Sequence, residues 1–424
     1  MRLLALCCLI ASAQAQEAEL RAALELPNRS DRRAMVAPLA ALPIETLREA
    51  IARLAPDRDV ARGVTTTTVP LLVEGTTEET RITTYVPERY RPEEAAPLLL
   101  ALHGAGGDGL HEHARWRDVA DELGMIVLSP SEAKSHEGYA FTARERASAL
   151  AALRWARLRY RIDPDRIHAT GISRGGHLAW DLALRHPDLF ASLAPMVGGP
   201  RLDTRGGQNN LRFIENVAHL PIRDLQGEGD DPRMLFNLRY AFERLGALGA
   251  KEAQLLTFPG LAHSFDLAAV DWRKLFESAR RDPRPPRVVR LCARLGEGRA
   301  FYVEILKLKP GVSEQFTPQV RAEVWNALDD AGRRRHIAQA AEENAARIEV
   351  AFPGSGRFEV KSRGVAKFRL LLEPGMFDPG TPVQVVWNGQ GRAKKPVPSA
   401  RILLDDYLER VDPRFLPVAE LPLP

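Results

Sequence analysis

The residues with the most chemical promise are a serine, a histidine and a cluster of carboxylates spaced along the middle of the chain. Gly171-Ile172-Ser173-Arg174-Gly175-Gly176 follows an apolar run and opens an amphipathic segment. A serine on a sharp strand-to-helix turn, flanked by glycines because a Cβ there would clash with nearby backbone, projects its hydroxyl over a sheet edge. That hydroxyl is a poor nucleophile at neutral pH and needs a histidine base, itself oriented by a carboxylate. Downstream, Gln226-Gly227-Glu228-Gly229-Asp230-Asp231-Pro232 follows one apolar run and Pro259-Gly260-Leu261-Ala262-His263-Ser264-Phe265 follows the next. The gaps, 57 residues from Ser173 to Asp230 and 33 from Asp230 to His263, leave room for intervening helices. Asp231 is the alternative acid.

The segments around these residues must place them at one end of a sheet. Strands are expected over 69–74, 81–86, 97–103, 125–129, 166–171, 190–196, 221–226 and 253–258. The first two alternate in a Thr-rich pattern suited to a partly exposed antiparallel edge. The later ones are continuous apolar runs, such as Leu98-Leu99-Leu100-Ala101-Leu102, suited to a sheet buried on both faces. Helical stretches are expected at 112–123, 143–160, 174–186, 232–248 and 267–281. This alternation predicts an α/β fold with an eight-stranded, mostly parallel, doubly wound sheet, the α/β-hydrolase architecture, with Ser173 after the fifth strand.

A length of 424 residues suggests more than one domain. The start, Met1-Arg2 and then Leu3 to Ala11, followed by Ala13-Gln14-Ala15, reads as a cleavable secretory signal over 1–15, which places the protein outside the cytoplasm, secreted or periplasmic. The apolar run is too short to span a membrane. Residues 16–63 are expected to form a helical N-terminal segment and 64–281 the hydrolase domain. The proline-rich stretch 282–286 reads as a linker, and 287–424 as a β-sandwich-like C-terminal domain with one helix near 329–344. Cys292 alone remains after signal removal and is expected in the core. The net charge is +4, 50 of the 59 cationic side chains are Arg, and the acids are interspersed with them, which argues against nucleic-acid binding.

From about 64 to 281 the chain resembles secreted serine esterases of the α/β-hydrolase superfamily. The likeness is to polyhydroxybutyrate-depolymerase-like and feruloyl-type esterases, with prolyl-oligopeptidase-like domains close by. In that group the acid follows Gly-x-x-Asp, matching Gly227 to Asp230, and the histidine lies in Gly-x-x-His-x-Phe, matching Gly260 to Phe265. An oxyanion loop follows a His-Gly pair, matching His103-Gly104-Ala105-Gly106-Gly107. The resemblance implies Ser173 as nucleophile, His263 as base and Asp230 as its partner. Backbone N–H groups of Ala105 and Arg174 would hold the oxyanion, and no cofactor is implied.

The activity implied is hydrolysis of carboxylic esters, small or polymer-linked. Peptide hydrolysis and a non-catalytic binding role are the alternatives; the short N-terminal segment cannot form the propeller that usually precedes prolyl-oligopeptidase domains. Arg174 reads as a surface salt-bridge residue, with contact to a substrate carboxylate as the alternative. His103 is expected to support its loop. His111 and His113, near Asp108 and Glu112, lack the further ligands a zinc site needs. His136 falls in the loop after the fourth strand, where it could line the cleft. Residues 197–220 are expected to form part of an acyl-pocket wall, mobile around Gly198-Gly199-Pro200 and Gly206-Gly207. Trp325 and Trp387 are the aromatics a carbohydrate-binding C-terminal domain would use, although a packing or positioning module is the favoured reading.

Overall fold

A computed structural model describes residues 2–424 apart from 55, 57–58, 132–141, 203–208, 316–317 and 355, with side chains from residue 14 onward. The chain opens with three helices, α1 (Arg2–Glu25), α2 (Arg29–Met35) and α3 (Ile44–Arg53). An eight-stranded sheet follows, formed by β1 (Gly63–Val73), β2 (Thr76–Val86), β3 (Ala96–Leu102), β4 (Ile126–Ser131), β5 (Ile162–Ile172), β6 (Ser192–Met196), β7 (Ile222–Gly227) and β8 (Ala253–Phe258). Its order is β1-β2-β4-β3-β5-β6-β7-β8. The β1–β2 and β2–β4 pairs are antiparallel and the others parallel.

The helices between these strands are α4 (Gly109–Ala114), α5 (Arg117–Leu123), α6 (Ala143–Arg159), α7 (Arg174–Arg185), α8 (Pro232–Ala247) and α9 (Trp272–Ser278). Strand periodicity divides the core between two faces. Leu98, Leu100 and Leu102 pack with Ala149, Leu178 and Leu238 of α6, α7 and α8. Leu99 and Ala101 point the other way, toward Ala120 of α5 and Leu275 and Phe276 of α9. The single helix expected over 112–123 is two, because Trp116 turns inward at the break and packs edge-on to Trp272 with ring centroids 5.1 Å apart.

The C-terminal region holds two further sheets. Its elements are β9 (Arg287–Cys292), β10 (Arg299–Ala300), β11 (Val303–Leu308), α10 (Ala322–Asn326), α11 (Asp330–Asn344), β12 (Ala346–Gly354), β13 (Arg357–Arg363), β14 (Val365–Leu372), β15 (Val383–Trp387), β16 (Gln390–Lys394), α12 (Ala400–Arg410) and β17 (Ala419–Leu423). One sheet runs β10-β11-β14-β17 and the other β16-β15-β13-β12-β9. Ile305, Phe368 and Leu421 of the first share a core with Ile348, Phe358 and Val385 of the second, a sandwich as expected. Cys292 is buried in this core, which pushes its thiol up to about 11.

Both flanking segments are tied into the rest of the fold. The N-terminal helices place Leu20, Leu24, Leu47 and Ile51 in the same core as the sandwich. The proline-rich stretch is fastened at both ends. Arg281 binds Asp165 of β5 and Asp412 through buried charge-assisted hydrogen bonds of 2.7 and 2.6 Å, and Pro285 O accepts from the Tyr302 hydroxyl at 3.0 Å.

Candidate active site

Ser173 sits between β5 and α7 with φ 55° and ψ −114°, a left-handed strained conformation for a residue with a side chain. The strain is held by close backbone packing. A Cβ on Gly175 would fall 1.9 Å from Leu102 O, so only glycine lets α7 begin against the end of β3. Ser173 N–H donates to Met196 O of β6 at 2.8 Å, fixing the turn from its other side.

His263 lies in the turn after β8 and is half-exposed. Its Nε2 is 2.8 Å from Ser173 Oγ and its Nδ1 is 2.8 Å from Asp230 Oδ2. The turns after β7 and β8 must nearly touch for this. A Cβ on Gly227 would lie 1.8 Å from Ala262 O, so this glycine is where the two turns meet. Of the two adjacent acids, Asp230 faces the imidazole. Asp231 instead caps α8, accepting from Arg233 N–H at 2.8 Å, ahead of Pro232 in the first turn. Asp230 Oδ2 also accepts from Gln226 Nε2 and Oδ1 from Asp231 N–H, each at 2.8 Å. Gln226 was not singled out in the sequence; its position at the end of β7, four residues before the acid, is the only signal it carries.

Across the cleft, the turn after β3 brings Gly104 beside Ser173. Ala105 is exposed at the tip, and its N–H has no partner among the described residues. His103 is buried and its Nδ1 is 2.8 Å from Gly104 O, tying the loop to itself as expected. Arg174 departs from expectation, because its ion pair with Glu145 at 2.7 Å is buried at 7% and 5% side-chain exposure. Glu145 also closes the capping box of α6 with Thr142, so the residue after Ser173 is tied to the start of the neighbouring helix.

The described part of residues 197–220 packs closely against the elbow. Val197 has φ 43°, and a Cβ on Gly198 would lie 2.5 Å from Ser173 O. His177 Nδ1 sits between the N–H and carbonyl of Gly199, at 2.9 and 2.6 Å, and burial pushes its imidazole down to about 4. Leu211–Val217 form a buried 3-10 helix. Gly206 and Gly207 lie outside the described residues, as does His136.

His111 and His113 point apart. His111 is exposed, its ring 2.8 Å from Asp108, the cap of α4, while His113 is buried beside the Tyr85 ring. Glu112 is buried, which pushes its carboxyl up to about 7. Trp387 stacks edge-on to Phe368 and has Arg392 over its ring, and Trp325 carries Arg333.

Residues 74–234 match a family described as "Esterase: Putative esterase". This part of the chain resembles the α/β-hydrolase esterases. A putative esterase, NocK, of Nocardia uniformis subsp. tsuyamanensis is 29% identical over 213 residues, 47% of this chain and 59% of that protein. A poly(3-hydroxyalkanoate) depolymerase C of Paucimonas lemoignei is 28% identical over 123 residues, 25% of this chain and 28% of that protein. The match thus spans less than two thirds of either curated relative. Among solved structures, LpqC, a poly(3-hydroxybutyrate) depolymerase from Bordetella parapertussis, aligns at 19% identity and a TM-score of 0.37, covering 47% of this chain and 85% of that one. Among the described residues no helix is long and apolar enough to cross a membrane.

Proposed function

We propose that the protein hydrolyses carboxylic esters through an acyl-enzyme on Ser173. The observation that carries this reading is the unbroken hydrogen-bonded chain from Asp230 through His263 to the strained Ser173 hydroxyl. His263 Nε2 takes the Ser173 proton as Oγ attacks the carbonyl carbon, and later gives it to the leaving alcohol. Asp230 keeps the other ring nitrogen protonated and stabilises the transient imidazolium. The oxyanion is held by the N–H groups of Ala105 and Arg174, each worth on the order of 3 kcal/mol of barrier. A water activated by His263 then releases the acid.

Short acyl and aryl-acyl esters, free or polymer-linked, fit a site whose histidine is half-exposed. Export with cleavage before Gln16 belongs to the same reading: it leaves Leu20 and Leu24 to pack in the second core. We assign 64–281 to the hydrolase unit and 287–424 to an accessory unit whose core the N-terminal helices complete. Hydrolysis of p-nitrophenyl acetate, butyrate and octanoate, beside Ser173→Ala, tests the reading. Turnover is expected to fall by about 10³-fold or more in the variant. Equal turnover by a folded Ser173→Ala protein would remove Ser173 from the chemistry.

A further inference from the structure

Beside the elbow lies a small, partly open recess lined by Leu102, His103, Pro130, Ser148 and the buried Arg174–Glu145 pair. It is small, with room for one or two water-sized oxygens. Arg174 Nη2 donates to Glu145, but its Nε and Nη1 are buried with no partner among the described residues. Buried N–H donors left unmatched are costly, so an acceptor oxygen that reaches them is strongly favoured.

Other arginines in this chain indicate what such a guanidinium takes. Arg185 binds Asp181, Glu297 and Glu314, and Arg281 binds Asp165 and Asp412. Arg347 binds Glu215 and Glu349, and Arg369 binds Glu304 and Glu420. Each bridges two or more carboxylates, in keeping with the fork of five donors. Arg174 lines the recess and has one carboxylate, Glu145, with two of its donors unmatched. It is also the residue next to the nucleophile.

We propose that Arg174 is a specificity residue that accepts the distal carboxylate of the acyl group, making half-esters of short dicarboxylic acids the preferred substrates. The proposal rests on Ser173 being the nucleophile. Ser173 Oγ bonds to the ester carbonyl carbon, the bond to the alkoxy oxygen breaks, and the alcohol leaves with the proton held by His263. Water then splits the acyl-enzyme, regenerating the serine hydroxyl and releasing the dicarboxylate with one further proton.

The test compares kcat/KM for monoethyl succinate with that for its uncharged isostere ethyl succinamate, by ethanol release, where the free carboxyl is ionised. Wild type is expected to favour the charged ester by about tenfold, the effect of one charge-assisted contact. Arg174→Met should bring the ratio to one or below. Glu145→Gln keeps the capping box but removes the competing charge, and should raise the ratio. A role confined to packing would slow both esters alike, so a ratio of one in wild type, or one unmoved by both variants, overturns the proposal. Should Arg174→Met fail to fold, the sign of the Glu145→Gln effect decides. Ser173→Ala separates the two readings: it must abolish turnover of both esters if the nucleophile is right. If it does not, succinate binding to wild type and to Glu145→Gln, by calorimetry, still tests the anion site. Tighter binding to the variant supports the proposal and no binding to either rejects it.

Discussion

Asp230 and Asp231 are adjacent carboxylates with different geometry and different expected consequences. Asp230→Asn leaves the imidazole facing an amide that cannot hold the same tautomer, and kcat is expected to fall on the order of 10³–10⁴-fold with little change in melting temperature. Asp231→Asn keeps a capping side chain on α8, so esterase rates should stay within about twofold of wild type. Asp231→Ala removes the cap and is expected to cost about 1 kcal/mol of stability, read by urea titration, again without a kinetic signature. Equal losses of kcat from Asp230→Asn and Asp231→Asn would mean that neither acid alone orients the histidine.

At the scale of elements, the turns after β7 and β8 meet through Gly227. A methyl placed there would sit 1.8 Å from Ala262 O, so the histidine turn must move. Gly227→Ala is expected to lose most ester turnover while the far-ultraviolet circular dichroism stays that of the wild type. Helix α4 carries a different liability. Glu112 is buried with its carboxyl pushed up to about 7, so the folded state holds a proton that the unfolded state has released by then. Stability is therefore lost as pH rises from about 4.5 toward 7. Glu112→Gln should remove that slope and raise stability above pH 7 by up to about 3 kcal/mol, by chemical denaturation across pH. A parallel shift at every pH would locate the effect elsewhere.

Across the whole molecule, the hydrolase sheet and the sandwich are joined by buried charge. Arg281 links Asp165 of β5 to Asp412, and Arg290 of β9 donates to the carbonyls of Leu184 and Arg185 in α7. Arg281→Met leaves buried carboxylates short of a partner and is expected to cost about 3–5 kcal/mol. Calorimetry should show one unfolding transition in wild type, because Leu291 and Ala293 contribute to the hydrolase core itself. Two separated transitions would mean that the halves fold independently. His168, wholly buried in β5, is pushed down to about 3, so acid protonates it in the unfolded state first. Stability should begin to fall below about pH 6.5, with on the order of 3 kcal/mol lost by about pH 4 from this residue.

Local patterns along the chain carry only what short-range rules encode. Continuous apolar runs mark six strands of the main sheet, because a strand buried on both faces needs continuous hydrophobicity, and Thr-rich alternation marks the antiparallel first two. Glycines beside Ser173 marked the elbow, because only they tolerate backbone at such distances. Ser173, Asp230 and His263 each follow an apolar run, which is what places them at strand ends in the sequence. In the C-terminal region α10, α12, β16 and β17 carry no such mark, being short or broken by proline and polar residues. Which aspartate faces the imidazole depends on tertiary packing, because both lie in one turn and the choice rests on a segment 33 residues away. Tertiary packing also places Arg174 inward against Glu145, joins the N-terminal helices to the sandwich core and fastens the proline-rich stretch. Each of these depends on a contact between residues remote in sequence, and no local pattern of charge or hydrophobicity specifies such a partner.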